Sequence, residues 1–234
     1  MTLAVMQPYL FPYLGYFQLI DEVDRFVLYD DVTYIKQGWI NRNRILVNGS
    51  AHLFTVPLRK ASSFVPIDSI ELDPLQFPAW REKFLRTLQQ AYARAPHFAM
   101  AHALIANVLH TPAERLVDLL RTSIASVSEH MGIRTVIVPT ARPYANQDLH
   151  GQARILDICK QEKASRYVNA AGGTELYSRA DFTQDGIELL FLRSRLPAYA
   201  QGTLEFVPGL SIIDALMRVS ADELRVMLLE RDLN

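Results

Sequence analysis

The opening of the chain constrains its fold more than any other feature. A short apolar run, Leu3–Met6, ends at Gln7-Pro8. The stretch from Gly15 to Val23 has the length and content of a short helix, and Arg25–Tyr29 forms a second strand running into Asp30-Asp31. Strand, helix and strand within about thirty residues make a βαβ unit, because parallel strands need a crossover where antiparallel strands need only a hairpin. The same alternation returns later. Thr135–Val138, Arg166–Val168 and Ile187–Leu192 have strand character; Gln152–Glu162 and Glu175–Phe182 read as helices, and Gly172-Gly173 as a turn. Ser211 and Ser220 are placed to cap two final helices, Ser220 with Glu223 as a capping box.

A different texture lies between these two stretches. Ile40–Val47 and Ala51–Leu58 flank Asn48-Gly49, the dipeptide that best tolerates the positive φ angles of a two-residue hairpin turn. Trp80, Phe84, Leu88 and Tyr92 recur every fourth residue and predict a helix, which Ala95-Pro96 ends before a second helix runs to Leu109. Thr111-Pro112-Ala113-Glu114 predicts the start of a third, with Leu116, Leu120, Ile124, Val127 and Met131 as its core stripe. The expected fold is therefore α/β: an open, mostly parallel Rossmann-like sheet in a single domain spanning 1–234, with a β-hairpin inserted at about 32–60 and a helical segment at about 79–131.

Half of the residues are apolar, 21% are charged and the net charge is −1, with no concentrated basic face for nucleic acid or an anionic membrane. No apolar stretch is long enough to span a bilayer, and the N-terminus has no basic region before its short apolar run. The lone Cys159 can form no internal disulfide, which fits a reducing compartment, and the expected location is the cytoplasm. Six histidines and one cysteine show no paired metal-ligand spacing, so no metal is expected. Neither a phosphate loop nor Gly-x-Gly-x-x-Gly occurs, which leaves any cofactor unidentified.

The run Met6–Ile20 (MQPYLFPYLGYFQLI) and the run Tyr29–Ile45 (YDDVTYIKQGWINRNRI) resemble the signatures of the WbqC-like family. So do Arg154-Ile155-Leu156, Tyr167–Tyr177 and Leu210–Asp214, which spreads the resemblance over nearly the whole chain. It implies a place in gene sets for O-antigen and related surface glycans, and for some members a glycine-transferase role.

The candidate site residues lie where predicted strands end, because open α/β sheets bind ligands at the carboxyl ends of their strands. Gln7, Tyr9, Tyr13 and Tyr16 come from the first such loop. Asp30 and Asp31 follow the second strand, as candidate bases that deprotonate an amine, with Lys36 beside them. Trp39, Asn41, Arg42 and Asn43 could hold a diphosphate and a sugar, since arginine forks phosphate and tryptophan stacks on sugar faces. Asn169, Gly172, Gly173 and Glu175 follow a third strand, where glycines allow close approach of backbone to ligand. His150, just before a predicted helix, is a reserve acid or base. These motifs should share one cleft, with the hairpin as its wall or lid.

The leading expectation is an acyl or aminoacyl transferase acting on a nucleotide-linked amino sugar. Its partners would be that small molecule and an acyl or aminoacyl donor, with nucleic acid entering only as a charged tRNA. Two alternatives accompany it: a non-enzymatic module that binds sugar nucleotides or glycans, and a nucleotidyltransferase-like enzyme. The latter is suggested by Tyr13-x-Gly15-Tyr16 standing where such enzymes carry His-x-Gly-His.

Overall fold

Along the first strand, β1 (Thr2–Met6), Leu3 and Val5 enter one apolar layer while Ala4 enters another. That alternation is what a strand covered on both faces requires. The computed structural model, which describes residues 1–203 and 205–234, extends it to a 6-stranded sheet. After β1 come α1 (Leu14–Glu22), β2 (Arg25–Leu28), the hairpin β3 (Arg42–Val47) and β4 (Ser50–Thr55), and a small pair β5 (Leu58–Arg59) and β6 (Glu71–Leu72). Helices α2 (Gln76–Tyr92), α3 (Phe98–His110) and α4 (Leu116–His130) lead to β7 (Val136–Val138), α5 (Gly151–Gln161), β8 (Arg166–Ala170), α6 (Arg179–Gln184) and β9 (Glu188–Ser194). The described chain closes with α7 (Ile212–Arg218), α8 (Ala221–Leu228) and β10 (Arg231–Leu233).

The sheet order is β10-β9-β8-β1-β2-β7, all parallel except β10, which runs antiparallel to β9. From β1 the chain first builds outwards through β2 to β7, then returns to the other flank of β1 for β8 and β9. Right-handed crossovers in opposite directions put their helices on opposite faces. Accordingly, Phe17 and Ile20 of α1 join the core that also contains the buried faces of α2, α3, α4, α7 and α8. Ile155, Ile158 and Cys159 of α5 and Phe182 of α6 fill the other layer with Leu3, Val5, Tyr167, Leu189 and Phe191. This is a doubly wound α/β fold.

The hairpin turns at Asn48 and Gly49, with φ of 50° and 77°. The stripe Leu116, Leu120, Ile124, Val127 and Met131 is fully buried, and both serine caps form, Ser220 as a complete capping box. Two expectations need correction. Helix α4 begins at Leu116, not at the Thr111 signal: Glu114 O accepts from Leu72 N and Leu116 N donates to Ile70 O, so long-range pairing with β6 displaces the cap. Likewise Glu175 lies in a 3-10 turn over Ala171–Leu176, and the helix proper starts after Ser178, whose side chain accepts from Asp181 N.

Candidate functional site

The carboxyl ends of β1 and β8 diverge where the strand order reverses, and a cleft of about 520 Å³ opens there. Gln7 comes from the end of β1, Tyr29 from the end of β2, and Asn169 from β8. Gly172, Gly173 and Tyr177 follow in the next turn, while His150, Gly151 and Arg154 come from the start of α5. The right-handed crossover from β7 to β8 brings the N-terminus of α5, with its unpaired amides, to this edge of the sheet. His150 stands exposed at the N-cap position and its side chain makes no capping hydrogen bond among the described residues.

Arg154 is the centre of this cleft's electrostatics. It is only 3% exposed. Its Nη2 donates to Asp31 Oδ2 at 2.6 Å, its Nε donates to Asn146 Oδ1 at 2.9 Å, and the guanidinium lies 4.8 Å from the centroid of the Tyr29 ring. Gln147 Nε2 also donates to Asp31 Oδ2, at 2.9 Å, whereas the buried Asp31 Oδ1 has no partner among the described residues. Burial raises the Tyr29 phenol above its ordinary range against the opposing pull of Arg154, and burial raises Tyr177 as well. The cleft therefore presents neutral phenols, carboxamides, an imidazole and one fixed cation. Among the described residues no group of three His, Cys, Asp or Glu is arranged to hold a metal ion. Cys159, on the buried face of α5, has its thiol pushed up to about 12 by desolvation and packs as an apolar residue.

Of the residues expected from sequence, Gln7, Asn169, Gly172 and Gly173 line this cleft, and Asp31 stands behind Arg154. The others go elsewhere. Asp30 is fully buried and spent on structure: Oδ2 accepts from Arg121 of α4, and Oδ1 from Thr140 Oγ1 and Ala141 N. Tyr16 lies in the core below, where its hydroxyl donates to Gln7 O at 3.2 Å. Asn41 is buried between Tyr34 and Val56, accepting from the phenol of one and donating to the carbonyl of the other. Asn43 donates to the carbonyls of Leu10 and Phe11. Lys36 and Glu175 are exposed and do not line this cleft.

Tyr9, Tyr13 and Trp39 gather in a separate notch of about 240 Å³, with Asn43 and Gly209. Arg42 stands beside Trp39. The hairpin strand β3 borders this notch and contributes nothing to the cleft lining. One loop thus serves two recesses, Gln7 facing the first and Tyr9 and Tyr13 the second. The His-x-Gly-His position is also resolved: Tyr16 is core, Tyr13 faces the notch, and Gly15 is required because a Cβ there would lie 2.4 Å from the Tyr13 ring. Sequence reasoning missed Arg154 and Tyr29 as lining residues. The available signal was an arginine four positions into a helix whose start must face the strand ends.

Fold and cleft together define an open α/β protein with a ligand-sized recess at its topological switch point. The chain belongs to the WbqC-like protein family, which matches residues 7–226. It is also 29% identical over 222 residues to the uncharacterized protein Rv1507c of Mycobacterium tuberculosis, covering 94% of each chain. No solved structure matches the chain significantly. Among the described residues no helix is long and apolar enough to cross a membrane.

Proposed function

We propose that this chain is a transferase that binds a nucleotide-linked amino sugar in the switch-point cleft and transfers an acyl or aminoacyl group, glycine included, to the sugar amine during surface-polysaccharide synthesis. The amine gives up a proton as the donor's acyl bond breaks and its thiol, tRNA hydroxyl or AMP leaves. The observation that carries the reading is Arg154, a buried cation locked by Asp31 and Asn146 at the head of a helix whose N-cap side chain makes no capping hydrogen bond among the described residues. A guanidinium held in place beside a helix N-terminus favours a phosphate or carboxylate at that point. The carboxamides of Gln7 and Asn169 supply neutral hydrogen bonds for a sugar. Because Asp30 already accepts from three donors and Asp31 is paired with Arg154, this reading does not assign the base to either aspartate. His150 is then the titratable group lining the cleft that can take a proton from an amine.

The test combines uridine- and thymidine-diphosphate amino sugars with glycine, ATP and glycyl-tRNA or an acyl thioester, and follows the sugar by mass spectrometry. The expected product carries the mass of one acyl group. His150→Ala should abolish its formation while leaving sugar-nucleotide affinity within about three-fold, and Arg154→Gln should lose affinity. Absence of product with every donor rejects transfer.

A second reading, a binding module without turnover, is favoured by one observation: both aspartates first read as bases are held by arginines. It expects saturable affinity and no product in the same experiment.

A further inference from the structure

The notch beside the first loop has features that packing alone does not explain. Trp39 is 49% exposed, and the guanidinium carbons of Arg42 and Arg44 lie 5.8 and 5.5 Å from the centroid of its ring. Among the described residues neither arginine forms an ion pair. Arg42 spends its Nε on Gly38 O at 2.8 Å. Among the described residues the Arg44 guanidinium reaches only Gly209 O, at 3.4 Å from Nη2, and its buried Nε has no acceptor. Two cations without carboxylates leave anion-binding capacity unused. The flanking aromatics are held in place from below. Tyr9 packs edge-on against Tyr16 at 5.1 Å, and the absent side chain at Gly15 lets the Tyr13 ring fold over the start of α1.

We infer that this notch is a second ligand subsite, separate from the switch-point cleft, which takes the flat ring of a phosphorylated nucleoside between Trp39, Tyr9 and Tyr13 and places its phosphate on Arg42 and Arg44. The volume of about 240 Å³ sets the limit, since whole small-molecule ligands occupy roughly 300–1,000 Å³. One ring fits, and the charged remainder lies along the exposed edge where the arginines stand. Stacking on tryptophan tolerates any base, because every base presents a π face, so affinity comes from ring and phosphate together. The inference concerns binding alone and stands whether or not the chain proves to be a transferase.

Trp39 itself provides the readout. The chain has two tryptophans, and Trp80 is stacked between Phe77 and Phe84, so Trp80→Phe removes the second fluorophore while keeping a ring in the stack. In that background, AMP and UMP should quench Trp39 saturably with a dissociation constant below about 1 mM. Inorganic phosphate alone should leave the emission unchanged yet compete. Replacing both arginines (Arg42→Gln with Arg44→Gln) should weaken nucleotide binding by about ten-fold or more. Should that pair fail to fold by circular dichroism, Arg42→Gln alone should still weaken it several-fold. Arg154→Gln should leave the titration where it was, which separates this site from the cleft. Three results would overturn the inference: no saturable change with either nucleotide, a quench indifferent to the arginine replacements, or a quench abolished by Arg154→Gln.

Discussion

Gly172 and Gly173 are adjacent and answer to different constraints. A Cβ on Gly173 would lie 2.5 Å from Asn169 Nδ2, whereas one on Gly172 would meet nothing within 4 Å. Asn169 has little room to yield, since its Oδ1 accepts from Ala170 N at 2.9 Å and the residue is buried. Gly173→Ala should therefore cost about 1–3 kcal/mol in urea unfolding, as small-to-large changes in packed sites do. Gly172→Ala should stay within about 0.5 kcal/mol. Equal losses from the two would remove Asn169 from the explanation. The same scale shows why the site was only partly legible. Asp30, Asn41 and Asn43 were read as ligand chemistry because they are polar, clustered and near strand ends. A buried carboxamide that satisfies a backbone carbonyl and one that greets a sugar need the same donors, and sequence does not distinguish them.

Helix, strand and loop meet at one atom, the carbonyl oxygen of Phe11. Phe11 adopts φ of 42°, a left-handed conformation that a non-glycine residue holds only when its surroundings enforce it. Asn43 of β3 donates to that carbonyl at 2.8 Å, and Ser211, the N-cap of α7, donates at 2.7 Å. Ser211 N also reaches Arg44 O, and Ile212 N reaches Pro12 O. Asn43→Ala and Ser211→Ala should each cost about 1–3 kcal/mol. The double variant should cost less than their sum, because the second loss falls on a loop already released. A urea double-mutant cycle reads this directly, and strict additivity would mean that the two clasps act independently. Local signals predicted elements well wherever the deciding contacts were themselves local, as at the Asn48-Gly49 turn and the Ser220 capping box. They failed at Thr111–Glu114, where backbone groups far away in sequence, on Ile70 and Leu72, claimed the amide and carbonyl that a cap would have used.

Over the whole molecule, one charged pair ties the segment between β2 and β7 to the loop that leads into α5, and another closes that segment on itself. Arg142 holds Asp68 through two hydrogen bonds, at 2.5 and 3.0 Å, and Arg121 holds Asp30. Burial alone would raise the Asp68 pKa, but the hydrogen bonds from Arg142 and Ser69 outweigh it and hold the carboxyl below its usual 3.8. A carboxyl depressed on folding stabilises the fold at pH above its unfolded value and loses that contribution as pH falls through its folded value. Asp68→Asn should thus be less stable than the parent at pH 6, and the gap should close progressively below about pH 4. Urea midpoints across that range check it; a gap independent of pH would deny the ionised carboxylate its role. Sheet order was not legible from sequence, because strand adjacency depends on crossover direction rather than on any local pattern. That order has a consequence in time. The central strand β1 precedes the other described strands along the chain, yet Thr2 pairs with Arg166, so one flank of β1 has no β8 partner until about 160 residues later in synthesis. The nascent βαβ unit must wait with an open strand edge, an aggregation-prone state that invites protection by chaperones. The recess between β1 and β8 is consequently a late product of biogenesis, and a chain halted before β8 would have the first half of the sheet and no place for a ligand.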